Sequence, residues 1–281
     1  MQKNTVVLLI NPLPAKKRMQ MANGIINALS EKKISFTSFA GEWPVDVNIY
    51  KEAWIIGGDG TLNYFLNFYK NIHIPIVIFK GGTGNDFAWK LYGKMGIMDQ
   101  INYVLDALPR QVDAATCNGQ VFINGAGIGF DGEVLRSVKK IRFLDGHLGY
   151  LWVVLQKIFS FEEYKYKIKF NDRILTEKFL LVIITNSSRV GGGFMVSPLA
   201  SITDRKLNMV LCRPLSLIKR LLNLPIIEKG KHLHKKFIVH EEIESVKILC
   251  EQETFAQLDG ELISGKSFNI TVMPERYLFK Y

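Results

Sequence analysis

The chain has 281 residues, 48% hydrophobic and 22% charged, which is an ordinary folded composition and enough to bury one large core or two modest ones. Its 36 Lys and Arg against 26 Asp and Glu leave a net charge of +10, favouring anionic partners (nucleotide, nucleic acid or an acidic membrane face) without choosing among them. Cys117, Cys212 and Cys250 are too few and too scattered for a disulfide framework or a zinc spacing, and no apolar run approaches the ~20 residues that span a bilayer. Residues 6–10 are also too short for a signal-peptide core. The expected setting is therefore the cytoplasm, with any membrane contact made peripherally on its inner face.

In chain order, residues 6–10 (VVLLI) read as a buried strand. Ala22, Ile25, Ile26 and Leu29 mark a helix face, and residues 34–39, 54–56 and 75–79 give three further strands. Leu62, Phe65, Leu66 and Tyr69 recur at helical spacing after the strand at 54–56. This alternation predicts a doubly wound α/β unit: a parallel sheet with helices on both faces and ligands beyond the carboxyl ends of its strands. "NPLPAKK", "GGDGT" and "GGTGND" all fall at those ends.

From about residue 112 the pattern becomes mainly antiparallel β. Asn118-Gly119 and Asn171-Asp172 each sit between alternating segments, as hairpin turns do, and further strands are expected at 179–185, 207–211, 246–250 and 268–272. Helices interrupt them near 133–140, 148–159 and 215–224.

The glycine turns carry the chemistry. Glycines between a strand and a helix let backbone N–H groups and the positive end of the helix meet phosphate oxygens, although one such cluster alone is equally a tight turn needing positive φ. "GGDGTLN" (57–63) and "GGTGNDFA" (81–88) are two such turns, with Asp86 suited to cap the second helix. "NGAGIGFDGEV" (124–134) repeats small residues followed by an acid, where Asp131 is also a plain helix cap, and "DGE" (259–261) is also a plain hairpin.

In order and spacing these four stretches resemble the diacylglycerol kinase catalytic-domain family, particularly its compact bacterial soluble lipid kinases, over nearly the whole chain. "GGDGT" is shared with NAD kinases and 6-phosphofructokinases, whereas "GTGNDFA" and the terminal "DGE" belong to the lipid-kinase branch. The resemblance implies an N-terminal nucleotide-binding α/β domain (1–111 and 273–281), a C-terminal β-sandwich (112–272), and ATP in the cleft between them. Carried over by position, Asn11, Gly57, Gly58, Asp59, Gly60, Thr61, Leu62, Asn63, Gly82, Thr83, Gly84 and Asn85 would bind ATP. Glu261 would be the general base, Asp131 an acid near the catalytic centre, and Asp59 the carboxylate that holds Mg²⁺.

The chain also departs from the family. Its first loop is "NPLPAKKR", where Leu13 and Pro14 replace small residues and Lys16, Lys17 and Arg18 add charge. The loop that binds a structural Mg²⁺ reads "SPLASITDRKLN" (197–208), with Arg205 for glycine and Asn208 for the second acid, leaving Asp204 with the backbone oxygens of Ser201 and Lys206 as ligands.

Residues 213–236 mix leucines with cations, which fits either a membrane-surface segment or a helix packed on the sandwich, and 136–142 is a second basic patch. His232 and His234 read as surface residues. The resulting expectation is an ATP- and Mg²⁺-dependent kinase of a diacylglycerol-like lipid at the membrane surface, with a homodimer left open and no nucleic-acid partner. The alternatives are a kinase of a soluble hydroxyl compound, as in NAD kinase, and a nucleotide-binding regulatory protein impaired in catalysis.

Overall fold

The computed structural model describes residues 4–12, 16–140 and 147–281. Leu13, Pro14 and Arg142, and the side chain of Lys17, lie outside the described residues. The chain forms two units, Met1–Val112 with Glu275–Tyr281, and Asp113–Pro274.

The first unit runs β1 (Val6–Ile10), α1 (Lys16–Glu31), β2 (Phe36–Phe39), β3 (Glu52–Gly57), α2 (Asp59–Phe68), β4 (Ile76–Lys80), α3 (Asp86–Tyr92) and α4 (Ile97–Asp106). β1 lies between β2 and β3, β4 follows β3, and all pair in parallel. Every residue of β1 and β3 is buried, because α1 packs with α4 and α2 with α3 to cover the two faces of the sheet. That cover is why these strands are continuously apolar rather than alternating. α1 turns Ala22, Ile25 and Leu29 inward, and α2 turns Leu62, Phe65 and Leu66.

The end of the chain adds a fifth parallel strand, with Phe279 opposite Ile76 and edge-on to Phe87 at 5.1 Å. Beside it Lys280 Nζ lies 3.3 Å from the Glu52 carboxylate, the two side chains only 8% and 3% exposed. Breaking such a pair strands a buried charge, so it specifies which strand end seats there.

The second unit comprises most of β5 (Pro109–Cys117), then β6 (Gln120–Phe122), β7 (Gly125–Ile128), α5 (Phe130–Lys140), α6 (His147–Ser160), β8 (Tyr164–Phe170), β9 (Arg173–Phe179), β10 (Leu181–Thr185), β11 (Leu207–Cys212), α7 (Leu217–Glu228), β12 (Ile238–Ile243), β13 (Ser245–Leu258) and β14 (Glu261–Lys280), whose last residues are the strand end just described. One antiparallel sheet has the order β12-β11-β10-β7-β13. β13 pairs with β8 through residues 247–250 and with β7 through 256–258, and its register against β14 shifts between Leu249 and Thr254. β13 thus turns the corner between the two layers of a β-sandwich.

The core between the layers takes alternate residues. Tyr166, Ile168 and Phe170 of β8 point in while Lys165, Lys167 and Lys169 point to solvent. Leu207, Met209 and Leu211 of β11 face this core, whereas Val210 and Cys212 face a second cluster under α6 and α7. Burial pushes the thiols of Cys117 and Cys212 up to about 12, so both stay protonated. The Asn118-Gly119, Asn171-Asp172 and Asp259-Gly260 turns all have two successive positive φ angles, the tight-hairpin geometry.

Three sequence expectations need correction, and one helix lay outside them. "GAGI" is not part of a turn but the central strand β7, and α4 went unpredicted although Ile101 and Val104 carry its buried face. α7 does not stop before Pro225 but continues to Glu228; Leu224 and Ile227 pack on the sheet, and the Leu221 carbonyl that loses its donor lies on an exposed residue. His232 is not a surface residue: it is 1% exposed, and burial holds its imidazole below the ordinary 6.5. Among the described residues no helix is long and apolar enough to cross a membrane.

Candidate active site

In the first unit the two glycine turns lie against one another. A Cβ on Gly58 would stand 2.8 Å from the Gly82 Cα, and a Cβ on Gly82 would stand 2.5 Å from the Gly58 Cα. None of Gly57, Gly58, Gly81 and Gly82 has a positive φ, so these glycines serve close approach rather than a left-handed turn. Gly81 N donates to Gly57 O at 2.9 Å, and Asn11 Nδ2 donates to Thr61 Oγ1 at 2.6 Å, tying the ends of β1, β3 and β4 into one knot.

Asp59 bridges the turns. Its Oδ2 accepts the N–H of Asp86 at 3.1 Å and its Oδ1 that of Phe87 at 3.0 Å, so the first residue of α2 caps α3. The expectation that Asp86 caps its own helix is corrected accordingly: the cap position is Asn85, at φ 54°, whose side chain closes the turn onto Gly82. The first N–H groups of α3, those of Asp86 and Phe87, are therefore committed internally, whereas the cap position of α2 is Gly58, which offers no side-chain cap.

Of the other expected nucleotide ligands, Thr83 is exposed and Gly60, Gly84 and Asn85 are partly so. Leu62 and Asn63 are not placed to offer side chains: Leu62 is 0% exposed in the core, and Asn63 is 2% exposed and bonded to Asn67. Arg18, not among the expected ligands, donates through Nε to Gly81 O at 3.1 Å and through Nη1 to Asn11 Oδ1 at 3.2 Å. The only sequence signal for it was the cation cluster of the first loop.

In the second unit the acidic residues form a connected network. A Cβ on Gly127 would stand 2.0 Å from Asp131 Oδ2, and one on Gly132 would meet the Phe255 carbonyl at 2.3 Å. The glycines of "GAGIGFDG" thus let α5 settle directly on β7 and β13. Asp131 lies in the first turn of α5 and accepts from Gln257 Nε2 at 2.8 Å, while Gln257 Oε1 accepts the Gly260 N–H at 2.8 Å.

Asp259, 6% exposed, accepts three main-chain N–H groups, from Ile123 at 2.6 Å, Asn124 at 2.9 Å and Gly125 at 2.9 Å. This fixes the turn from which Glu261 emerges. Glu261 is about half exposed and pairs with Lys139 at 3.3 Å. Sequence reading missed Gln257 and the clamp of Asp259, for which an Asp-Gly turn gives no signal.

The proposed metal loop is held together by a different carboxylate. Asp113, fully buried, accepts the Arg205 N–H at 2.7 Å, with Arg205 left-handed at φ 63°. Asp204 Oδ1 accepts the Lys206 N–H at 3.1 Å, Lys206 Nζ pairs with Glu242 at 2.6 Å, and Ser201 Oγ bonds within its own turn. Among the described residues no three His, Cys, Asp or Glu side chains gather as a metal site. Within residues 197–208 Asp204 is the single acid and stands next to Arg205 and Lys206, a poorer set of oxygen donors for Mg²⁺ than a loop with two acids.

Between the sheet and helices α6 and α7 the second unit has a partly open, mainly apolar cavity of about 80 Å³. Val154, Ile158, Leu180, Leu215, Leu224 and Ile227 line it, and Asp131 stands at its wall.

Comparison with known proteins matches residues 5–117 to the diacylglycerol kinase catalytic domain and residues 125–278 to the YegS C-terminal NAD kinase beta sandwich-like domain. A diacylglycerol kinase of Bacillus subtilis is 25% identical over 78% of this chain and 76% of its own, and one of Staphylococcus carnosus is 22% identical over 75% and 70%. The crystal structure of a diacylglycerol kinase from Bacillus anthracis superposes with a TM-score of 0.71 at 19% identity, covering 100% of this chain and 98% of that one. An NAD kinase from Archaeoglobus fulgidus, solved in complex with ATP, gives 0.58 at 10% identity over 99% and 93%.

Proposed function

The chain belongs to the diacylglycerol kinase catalytic-domain family and is a phosphotransferase with an alcohol acceptor; from that premise we propose that it transfers the γ-phosphate of ATP to a hydroxyl of a diacylglycerol-like lipid. The observation that carries the lipid reading is the apolar cavity with Asp131 at its wall. Most of its lining side chains are apolar and suit a hydrocarbon chain better than a soluble polyol, while Asp131, Arg220 and Asn223 supply the few polar groups that a headgroup hydroxyl would meet.

In this reading the first unit holds the nucleotide. The Gly58–Gly82 approach packs the two strand-to-helix turns against one another, which would bring their main-chain N–H groups to bear together on triphosphate oxygens. The uncapped start of α2 and the guanidinium of Arg18 supply positive charge, and Thr83 is exposed for contact. Mg²⁺ is commonly held by one or two carboxylates together with phosphate, so Asp59 fits as its protein ligand, and the ion would neutralise charge that develops on the phosphate oxygens. Its anchoring by two N–H groups would fix that carboxylate before nucleotide arrives.

The second unit holds the acceptor. Glu261 takes the proton of the lipid hydroxyl, Lys139 keeps its carboxylate in place, and Asp131 orients the hydroxyl. Gln257 couples the two acids by bonding Asp131 with one end of its amide and the Gly260 turn with the other. No metal step is assigned to the loop at 201–206.

The test is ATP-dependent phosphorylation across mixed-micelle lipids (diacylglycerol, monoacylglycerol, phosphatidylglycerol and sphingoid bases) beside soluble alcohols. The proposal expects a phosphorylated lipid that forms only with micelles. Label appearing in a soluble alcohol and no lipid would replace it with the NAD-kinase-like reading, and ATP binding without any product with the regulatory one.

A further inference from the structure

Helices α6 and α7 each bury one face and leave the opposite face apolar. On α6, Val154 and Ile158 point inward to the cavity, and the positions about half a turn away are Trp152 and Phe159, which are 55% and 58% exposed. On α7, Leu224 and Ile227 point inward, and opposite them Ile218 and Leu222 are 72% and 65% exposed. No residue of α7 is fully buried although most of the helix is apolar. The helices are fastened side by side by Arg220, which donates to the carbonyls of Ile158 and Phe161 at the end of α6 and pairs with Glu163 at 2.6 Å.

Monomeric soluble proteins rarely leave four large apolar side chains standing out of two adjoining helices. The charge around them identifies the occupant. Exposed Lys219, Lys229, Lys231 and Lys236 lie on α7 or in the segment that follows it, and Glu228 is the single acid between residues 213 and 236. A second copy of this chain would bring like charges together, and an acidic peptide would leave the apolar side chains uncovered. An anionic bilayer satisfies both features, with hydrocarbon below the headgroups for the side chains and phosphates at the surface for the lysines.

We infer that the outer faces of α6 and α7 form a membrane-docking surface, in which Trp152, Phe159, Ile218 and Leu222 enter an anionic bilayer. It rests on the lipid-kinase reading only for its purpose, since the same two helices roof the cavity proposed for the acceptor. Arg220 makes the roof one body, so the pair enters together.

The experiment is co-sedimentation with vesicles of equal parts phosphatidylglycerol and phosphatidylcholine, against phosphatidylcholine alone, using the wild-type chain and the double variants Ile218→Ser/Leu222→Ser and Trp152→Ser/Phe159→Ser. None of the four residues lines the cavity, so both variants should keep the wild-type circular dichroism and turnover on a short-chain acceptor in detergent. The wild type is expected to bind the anionic vesicles in preference, each double variant to bind them about tenfold or more weakly, and tryptophan emission to shift to the blue on binding through Trp152.

Undiminished binding by both variants, or emission unmoved by vesicles, would overturn the inference. So would a wild-type dimer in light scattering that the variants dissolve, because the face would then belong to a second copy. Vesicle binding is read without turnover, so a chain that docks as described yet phosphorylates no lipid would refute the kinase reading and leave the docking surface standing.

Discussion

Removing the carboxylate of Asp259 tests how the catalytic turn is built. Three main-chain N–H groups, those of Ile123, Asn124 and Gly125, converge on it at 2.6 to 2.9 Å in a residue only 6% exposed. Hydrogen bonds to a charged acceptor contribute about 1.5–3 kcal/mol each, less than additively when shared by one group. Asn is the informative replacement because it tolerates the φ of 49° that the turn requires. Asp259→Asn keeps one acceptor oxygen but turns an NH₂ group toward a backbone donor, losing about 2–3 kcal/mol. Asp259→Ala strands all three donors and adds left-handed strain, for about 4–6 kcal/mol. Urea unfolding followed by circular dichroism measures both. An Asn variant within about 0.5 kcal/mol of wild type would refute the clamp, as would an Ala variant no worse than Asn.

Gly82→Ala should push the two glycine turns apart, since its Cβ would meet the Gly58 Cα at 2.5 Å; calorimetric titration with an ATP analogue should show affinity falling about tenfold or more, and unchanged affinity would count against the cradle. Lys33→Gly should stabilise the first unit by about 0.5–1 kcal/mol, because Lys33 stands at φ 55° in the C-terminal cap of α1, where Ile34 N bonds Leu29 O and Lys33 N bonds Ser30 O; a lowered unfolding midpoint would contradict that geometry. His232 makes stability pH-dependent in a definite sense. Burial depresses its pKa, so the unfolded chain binds a proton near 6.5 that the folded chain refuses, and stability falls as pH drops from 6.5 toward the folded value. His240 is depressed by burial too and adds in the same sense, so His232→Leu should flatten part of the acid limb of a urea-midpoint profile and leave the rest.

Much of the fold was legible because the sequence repeats its own period. Continuous apolar runs marked strands buried on both faces, and "YKYKIKF" alternated because one face of β8 is wet. The hairpins announced themselves through residues that accept positive φ. What escaped were features where glycine or proline carries a meaning set by distant neighbours. "GAGI" looks like a turn until α5 is seen to rest on Gly127 and Gly132, and Pro225 looks like a helix stop until Leu224 and Ile227 are seen to hold the helix down. The acids suffered the same ambiguity. Asp59 and Asp131 stand in motifs that name them, yet nothing local indicates that Asp59 caps α3 or that Gln257 joins Asp131 to the Gly260 turn, because those partners are 27 residues away in one case and 126 in the other.

In the proposed reaction a lipid hydroxyl gives its proton to Glu261 as it receives phosphate from ATP. Transfer of γ-labelled phosphate to diacylglycerol in mixed micelles, measured for the wild type and Glu261→Gln at equal nucleotide occupancy, tests it most directly. Labelled lipid is expected from the wild type and a loss of about 10²–10⁴-fold in the variant, whose fold and ATP affinity should stay intact because this half-exposed carboxylate pairs with Lys139 at the surface. A Gln variant that turns over within a few-fold of the wild type would contradict it.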